Sequence, residues 1–260
     1  MKPRNRLFNL LSANAKRGSF RADASTNSIE LYDVICSSDE EASWFGGVSM
    51  EAFARALRGM TGTVHLRINS PGGDVFAGVA MAQYMREYSG EIIAHVDGYA
   101  ASIASIIAIA ADKVVMAPGS LMMIHQASTF SYGNAGDFLA TAELLEKVDG
   151  QIAERYTARA NGRASQAEFA DMMAAETWFA PQEAIDAGLC DEIAPEKEKA
   201  STEARSRWDV SAYKHAPAPP AKQPDAAEVA AAQAAAVAAA VAESEHAQRR
   251  RLMQLLVTAA

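Results

Sequence analysis

Asn69-Ser70-Pro71-Gly72-Gly73-Asp74 and, about thirty residues on, Gly98-Tyr99-Ala100-Ala101-Ser102-Ile103-Ala104-Ser105 constrain this chain more than any other stretch. Each places small residues that expose the backbone between an apolar strand pattern and a helix pattern. Two such turns side by side bring backbone N–H donors to a serine hydroxyl, the arrangement that a serine nucleophile and its oxyanion hole require. Met122-Met123-Ile124-His125-Gln126 then ends an apolar strand on a histidine, a candidate base.

The patterns around these motifs alternate between strand and helix. Residues 29–35 alternate like a strand. Ser49 caps a helix running through Leu57 and stopped at Gly59, and residues 63–68 form the strand that feeds the Pro-Gly-Gly turn. Asp74 caps a helix with Val75, Val79, Ala82 and Met85 on one face. Residues 91–96 are the next strand, Gly98 to Ala101 a turn, and residues 102–110 a buried helix. Residues 114–116 and 122–124 are short strands around Ala117-Pro118-Gly119-Ser120. Phe138, Ala142, Leu145, Val148, Ile152 and Tyr156 share one stripe of a long helix that Asn161-Gly162 ends. Ser165 with Glu168 makes a capping box, and Pro181 suits the first position of a short helix ending at Gly188. This alternation implies an α/β domain with largely parallel pairing.

Composition divides the chain into a basic arm (1–27), the α/β body (28–194), a polar and proline-rich linker (195–224) and an alanine-rich helical tail (225–260) capped by Asp225 with Glu228. The arm reads as a solvated terminus and the linker, with Pro217, Pro219, Pro220 and Pro224, as extended chain. Residues 22–194 carry nine Lys/Arg against 24 Asp/Glu. So acidic a body argues against nucleic acid as partner. The uncharged apolar run between Asp97 and Asp112 falls short of the roughly 20 residues a bilayer span needs, so no membrane role is expected. Cys36 and Cys190 are the sole cysteines and residues 1–18 lack a signal-peptide pattern, which together suggest a cytoplasmic protein.

Ser102 is the candidate nucleophile, since a hydroxyl at the start of an apolar helix meets the positive end of the helix dipole and the N–H of Ile103. A serine there equally serves as an ordinary helix cap. Ser105 and Ser70 are weaker candidates, one turn deeper and within the tight turn respectively. Gly72 and Gly73 let backbone approach a ligand closely, with Gly73 a second oxyanion donor. His65 and His95 lie within strand patterns and His215 and His246 in the linker and tail, whereas His125 ends a strand, where functional groups of α/β folds gather. Glu176, Asp171, Asp137, Asp186 and Asp191 could each orient the histidine, and spacing does not choose among them; Glu176 stands out because Thr177-Trp178-Phe179 reads as extended chain. No metal-ligand spacing or phosphate-binding loop occurs, so neither metal nor cofactor is expected.

Together, Ile68-Asn69-Ser70-Pro71-Gly72-Gly73, Gly98-Tyr99-Ala100-Ala101-Ser102, Met123-Ile124-His125-Gln126 and the stretch 179–189 resemble, in the same order, the Clp protease proteolytic subunit family of serine peptidases. The resemblance covers roughly residues 28–193 and implies a crotonase-like spiral of repeated β-β-α units. It implies Ser102 as nucleophile, His125 as base, Gly73 and Ile103 as oxyanion donors, Gly72 and Gln126 at the substrate edge, and Glu176 where the family usually has aspartate. Ala104 and Ala127 stand where the family often has glycine and proline. The chain looks most like the Clp-like head-maturation proteases of phages and prophages, which implies capsid or scaffold polypeptides as substrates. It also implies a homo-oligomeric ring, a heptamer or double heptamer, with the helix over 138–156 in the handle between rings. An ATP-driven unfoldase is the family's usual partner, although residues 1–27 do not match its docking end. A crotonase-type acyl-CoA enzyme and a non-enzymatic assembly scaffold are the competing readings.

Overall fold

The computed structural model describes residues 6–195 and 208–217. The chain divides into two compact units, Met1–Pro220 and Ala221–Ala260. The second unit, and with it the expected alanine-rich helix, lies outside the described residues.

Helix α1 (Arg6–Asn14) leads into the antiparallel strands β1 (Ser19–Asp23) and β2 (Ser28–Tyr32). Then come α2 (Asp39–Phe45), α3 (Met50–Arg58), β3 (Val64–Ser70), α4 (Val75–Arg86), β4 (Ile92–Ala101), α5 (Ile103–Ile109), β5 (Lys113–Met116) and β6 (Leu121–Ile124). The long α6 (Ala135–Ala160), α7 (Gln166–Ala175), β7 (Thr177–Phe179), α8 (Pro181–Asp186) and β8 (Glu192–Ile193) complete the series. The sheet runs β1-β2-β3-β4-β5-β8, parallel from β2 onward, with β6 branching from β4 and β7 antiparallel to β6.

Local chemistry accounts for the element ends. The Ser49 hydroxyl accepts from the Ala52 N–H and the Asp74 carboxylate from the Ala77 N–H. Ser165 and Glu168 form the reciprocal capping box. Each such cap is worth about 1 kcal/mol. Asn161, at φ 49° and ψ 51°, takes the left-handed conformation that closes α6.

Strand β4 makes the site possible. It runs on through Gly98 to Ala101, where a turn is expected from the sequence. Ile68 pairs with Val96 but Ser70 with Ala100, so β4 carries two more residues than β3 between the same partners. That irregularity bends the strand, which leaves β5 and pairs with β6 through Tyr99, Ala100 and Ala101. The Asn69 carboxamide oxygen accepts the Tyr99 N–H at 3.1 Å and satisfies the interrupted ladder.

Four further expectations change. The buried face of α4 is Ala77, Gly78, Met81, Ala82 and Met85, and Val79 is exposed, because α5 presses against α4 at Gly78, where a Cβ would meet the Ile103 side chain. Only the C-terminal half of the α6 stripe is buried, at Ile152, Ala153, Tyr156 and Ala160, while Phe138 is exposed. The basic arm is not simply a solvated terminus, since Leu10, Leu11 and Asn14 of α1 are buried. The linker is not uniformly extended, since Trp208, Val210 and Tyr213 are buried together with Leu10, Tyr99 and Met123. In both segments apolar side chains find a wall of the first unit to cover, and that burial outweighs the polar composition of their neighbours.

Candidate active site

The Pro-Gly-Gly turn follows β3 as a closely fitted strip of backbone. Ile35 donates to the Gly72 carbonyl and accepts from the Asp74 N–H, each at 2.9 Å, which pins the turn in a parallel bridge. Gly72 has φ +95°, and a Cβ there would stand 2.7 Å from the Ala101 carbonyl oxygen and 2.8 Å from the Ser102 Cβ. A Cβ on Gly73 would run into the Ile35 carbonyl. Glycine is therefore required twice over, by conformation and by space.

Ser102 stands at the junction of β4 and α5 with φ 56° and ψ −128°, a conformation costly for a residue with a Cβ. Its N–H is held by the Met123 carbonyl at 2.8 Å, and its hydroxyl makes no helix cap. Ser102 Oγ lies 2.7 Å from His125 Nε2. The other candidate serines are occupied elsewhere: Ser105 Oγ bonds the Ser102 carbonyl and the Tyr156 hydroxyl, and Ser70 Oγ accepts the Gly72 N–H. Ile103 opens α5, so its N–H has no partner within the helix.

His125 and Glu176 come together through strand pairing. Met122 opposes Phe179, Met123 opposes Trp178 and Ile124 opposes Thr177. His125 and Glu176 are the residues next to the last registered pair, Ile124 with Thr177. Glu176 is 6% exposed and left-handed at φ 56°, where it ends α7 and turns the chain into β7. The other acids are engaged or placed elsewhere. Asp137 caps α6, Asp186 accepts from Gln182, Asp191 pairs with Arg159 and holds the Val114 N–H, and Asp171 is exposed on α7. Gln126 has an exposed side chain, and its N–H is committed to the Met173 carbonyl at 3.2 Å. Asp149, whose carboxyl burial pushes above the usual range, accepts the Ala127 N–H and braces the loop after His125.

A cleft opens at Ser102 and His125, with Gly73 on one rim and apolar walls from Leu10, Phe76 and Leu145. Tyr213 forms part of the same wall, and its ring meets that of His125 edge-on at 5.2 Å. Sequence patterns missed Leu10 and Tyr213. The available signal was a pair of aromatics, Trp208 and Tyr213, in an otherwise polar segment.

The model of the Clp protease family matches residues 56–197, more than half of the 260-residue chain and the part holding Ser102, His125 and Glu176. The ATP-dependent Clp protease proteolytic subunit 3 of Rhodococcus jostii is 34% identical over 131 residues, 49% of this chain and 63% of that protein. The ATP-dependent Clp protease proteolytic subunit of Bacteroides fragilis is 33% identical over 134 residues, 50% of this chain and 63% of that protein. That of Deinococcus radiodurans is 30% identical over 132 residues, 50% of this chain and 64% of that protein. The chain thus spans somewhat under two thirds of the length of these curated relatives. With the family model covering Ser102, His125 and the strands from β3 to β8, the chain belongs to the Clp protease family.

Proposed function

We propose that this chain is a serine endopeptidase working through an acyl-enzyme, with Ser102, His125 and Glu176 as its triad. The observation that carries this reading is the 2.7 Å approach of Ser102 Oγ to His125 Nε2. His125 takes the hydroxyl proton as Ser102 attacks the peptide carbonyl. Glu176 holds the imidazole and stabilises the cation that forms. The N–H groups of Gly73 and Ile103 receive the developing oxyanion. His125 then protonates the leaving amine, and water, deprotonated by the same imidazole, releases the acyl group. The substrate backbone lies as a strand along Gly72-Gly73. Labelling with a fluorophosphonate followed by peptide mapping tests the mechanism. A single adduct at Ser102, absent in Ser102→Ala, is expected; a folded chain that never reacts there overturns it.

The working form is a homo-oligomeric ring. The exposure of Phe138, Leu139 and Leu144 on the first half of α6 supports this, since a second copy would cover them. The relatives' names favour a proteolytic subunit of an ATP-dependent Clp protease, a reading in which an unfoldase would feed it. The more particular reading, head maturation with capsid or scaffold polypeptides as substrates, rests on the extension past residue 197, where the family match ends. Mass spectrometry for self-cleavage between 195 and 224 separates the two. Products that appear in the parent and not in Ser102→Ala support maturation, and an intact extension with unfoldase-stimulated degradation supports the Clp partnership.

A further inference from the structure

The segment 208–217 lies beyond the family match, which ends at residue 197, yet it is packed onto the candidate triad. Three anchors fix it. Trp208 Nε1 donates to the Asn69 carboxamide oxygen at 3.0 Å, the same oxygen that receives the Tyr99 N–H at the bend of β4. Asn14, wholly buried at the end of α1, exchanges two hydrogen bonds with the Asp209 backbone, donating to its carbonyl at 2.9 Å and accepting its N–H at 2.7 Å. His215 Nδ1–H donates to the Ala175 carbonyl at 2.9 Å.

The segment also touches the Pro-Gly-Gly turn, the histidine and the acid. The Tyr213 hydroxyl donates to the Pro71 carbonyl at 2.5 Å, on the turn that carries Gly72 and Gly73. The Tyr213 ring packs edge-on against His125 at 5.2 Å and against Trp178 at 6.1 Å. The His215 N–H donates to Glu176 Oε1 at 2.6 Å. Ser102 and His125 remain paired with the segment in place, and the cleft beside them keeps Gly73 on its rim. The segment therefore braces the histidine, the acid and the Pro-Gly-Gly turn, with Tyr213 in the wall of the cleft that Gly73 and Ser102 also line.

We propose that residues 208–217 are a built-in positioning strap of the catalytic centre. Tyr213 sets the imidazole ring and the Pro-Gly-Gly turn at a fixed separation. The His215 N–H locks one oxygen of Glu176, so that the other serves the histidine. Tyr213, which also stands in the cleft wall, and His215 act through their contacts with His125 and Glu176. The proposal rests on the triad reading above, and its test separates the two.

The test measures kcat and KM on a short fluorogenic peptide, together with fluorophosphonate labelling and thermal melting, in the full chain. His215→Pro deletes the N–H that Glu176 accepts and is expected to lower kcat on the order of 10- to 100-fold with little change in KM. His215→Ala keeps that N–H and recovers most of the loss. Tyr213→Ala removes both contacts and is expected to lower kcat about tenfold, with Tyr213→Phe, which retains the ring, intermediate. The tyrosine pair decides the matter on its own if His215→Pro does not fold. A parent that fails to label at Ser102 overturns the triad reading. A parent that labels, with strap variants of unchanged kcat, or with KM alone altered, overturns the strap. Variants faster than the parent also overturn it, and would mark the segment as an obstacle.

Discussion

Ser102 and Glu176 both have φ 56°, a region that residues with a Cβ avoid, and they are the proposed nucleophile and acid. Such conformations cost on the order of 1–3 kcal/mol each and persist where surrounding structure enforces them. At Ser102 the enforcement is visible, from the Met123 carbonyl on its N–H to the α5 helix that starts at the next residue. Ser102→Gly should therefore be more stable than Ser102→Ala by about 1 kcal/mol, with both inactive, because alanine keeps the strain and glycine relieves it. Chemical denaturation of the two variants checks this, and equal stabilities would remove strain from the account. Glu176→Gln tests the acid at nearly constant shape. It should lower kcat by about 10³-fold or more while leaving the melting temperature close to the parent's. Steady-state kinetics and a thermal scan read both, and a loss of folding with no specific loss of turnover would assign Glu176 to structure alone. The Ser102–His125 pair was legible in the sequence because Ser102 opens an apolar helix after a small-residue turn and His125 ends an apolar strand. Spacing did not choose Glu176 from four other acids, and only the extended Thr177-Trp178-Phe179 and the family resemblance favoured it, since the β6–β7 pairing that ends beside it is a long-range contact that spacing along the chain does not encode.

At the scale of elements, caps and punctuation read true because they are local: Ser49, Asp74, Asn161 and Ser165 each mark a helix end in the structure. Faces read less well. The side of α4 that is buried depends on α5 pressing in at Gly78, a contact invisible in periodicity. The bend of β4 was read as a turn because Gly98 and two alanines look like one, whereas Asn69 supplies the missing hydrogen bond and the strand continues. Below that bend β3 and β4 also set His65 Nδ1 3.0 Å from His95 Nε2. Burial, followed by the charges of Arg67, His65 and Lys113, pushes His95 down to about 4. An unfolded histidine titrates near 6.5, so between those values the unfolded chain holds more protons than the folded one. The folded state is fully favoured above about pH 6.5 and loses that share of its stability as the pH falls toward 4. Urea midpoints measured across this window should fall with acidification, and His95→Gln should flatten the slope. A variant with the parent's slope would place the titration elsewhere.

At the scale of the whole molecule, the two ends of the first unit meet at the site. Asn14 of α1 and Asp209 of the strap are bonded to each other, and Leu10 packs with Trp208, Val210 and Tyr213. Polar composition concealed both segments, since a few buried side chains carry the docking while the intervening residues remain solvated. The opposite situation holds on α6, where large apolar side chains stay uncovered. Phe138, Leu139 and Leu144 are exposed on its first half, with Phe130 and Tyr132 on the loop before it. Burying one such side chain contributes about 1.5–3 kcal/mol. In the ring assembly proposed above, with α6 in the handle between rings, every subunit would set this patch against the facing ring, so the patch would favour ring-to-ring pairing. The replacement Leu139→Asp would put a charge into the covered surface at every copy. It should shift sedimentation velocity from an assembled species toward a smaller one, while α6 keeps its buried half at Ile152, Ala153 and Tyr156 and the chain stays folded. Ser102 labelling followed in the same samples reports whether the site survives dissociation. An unchanged sedimentation profile would place the subunit contact on another face, with the exposed α4 side chains Phe76 and Val79 the next to substitute.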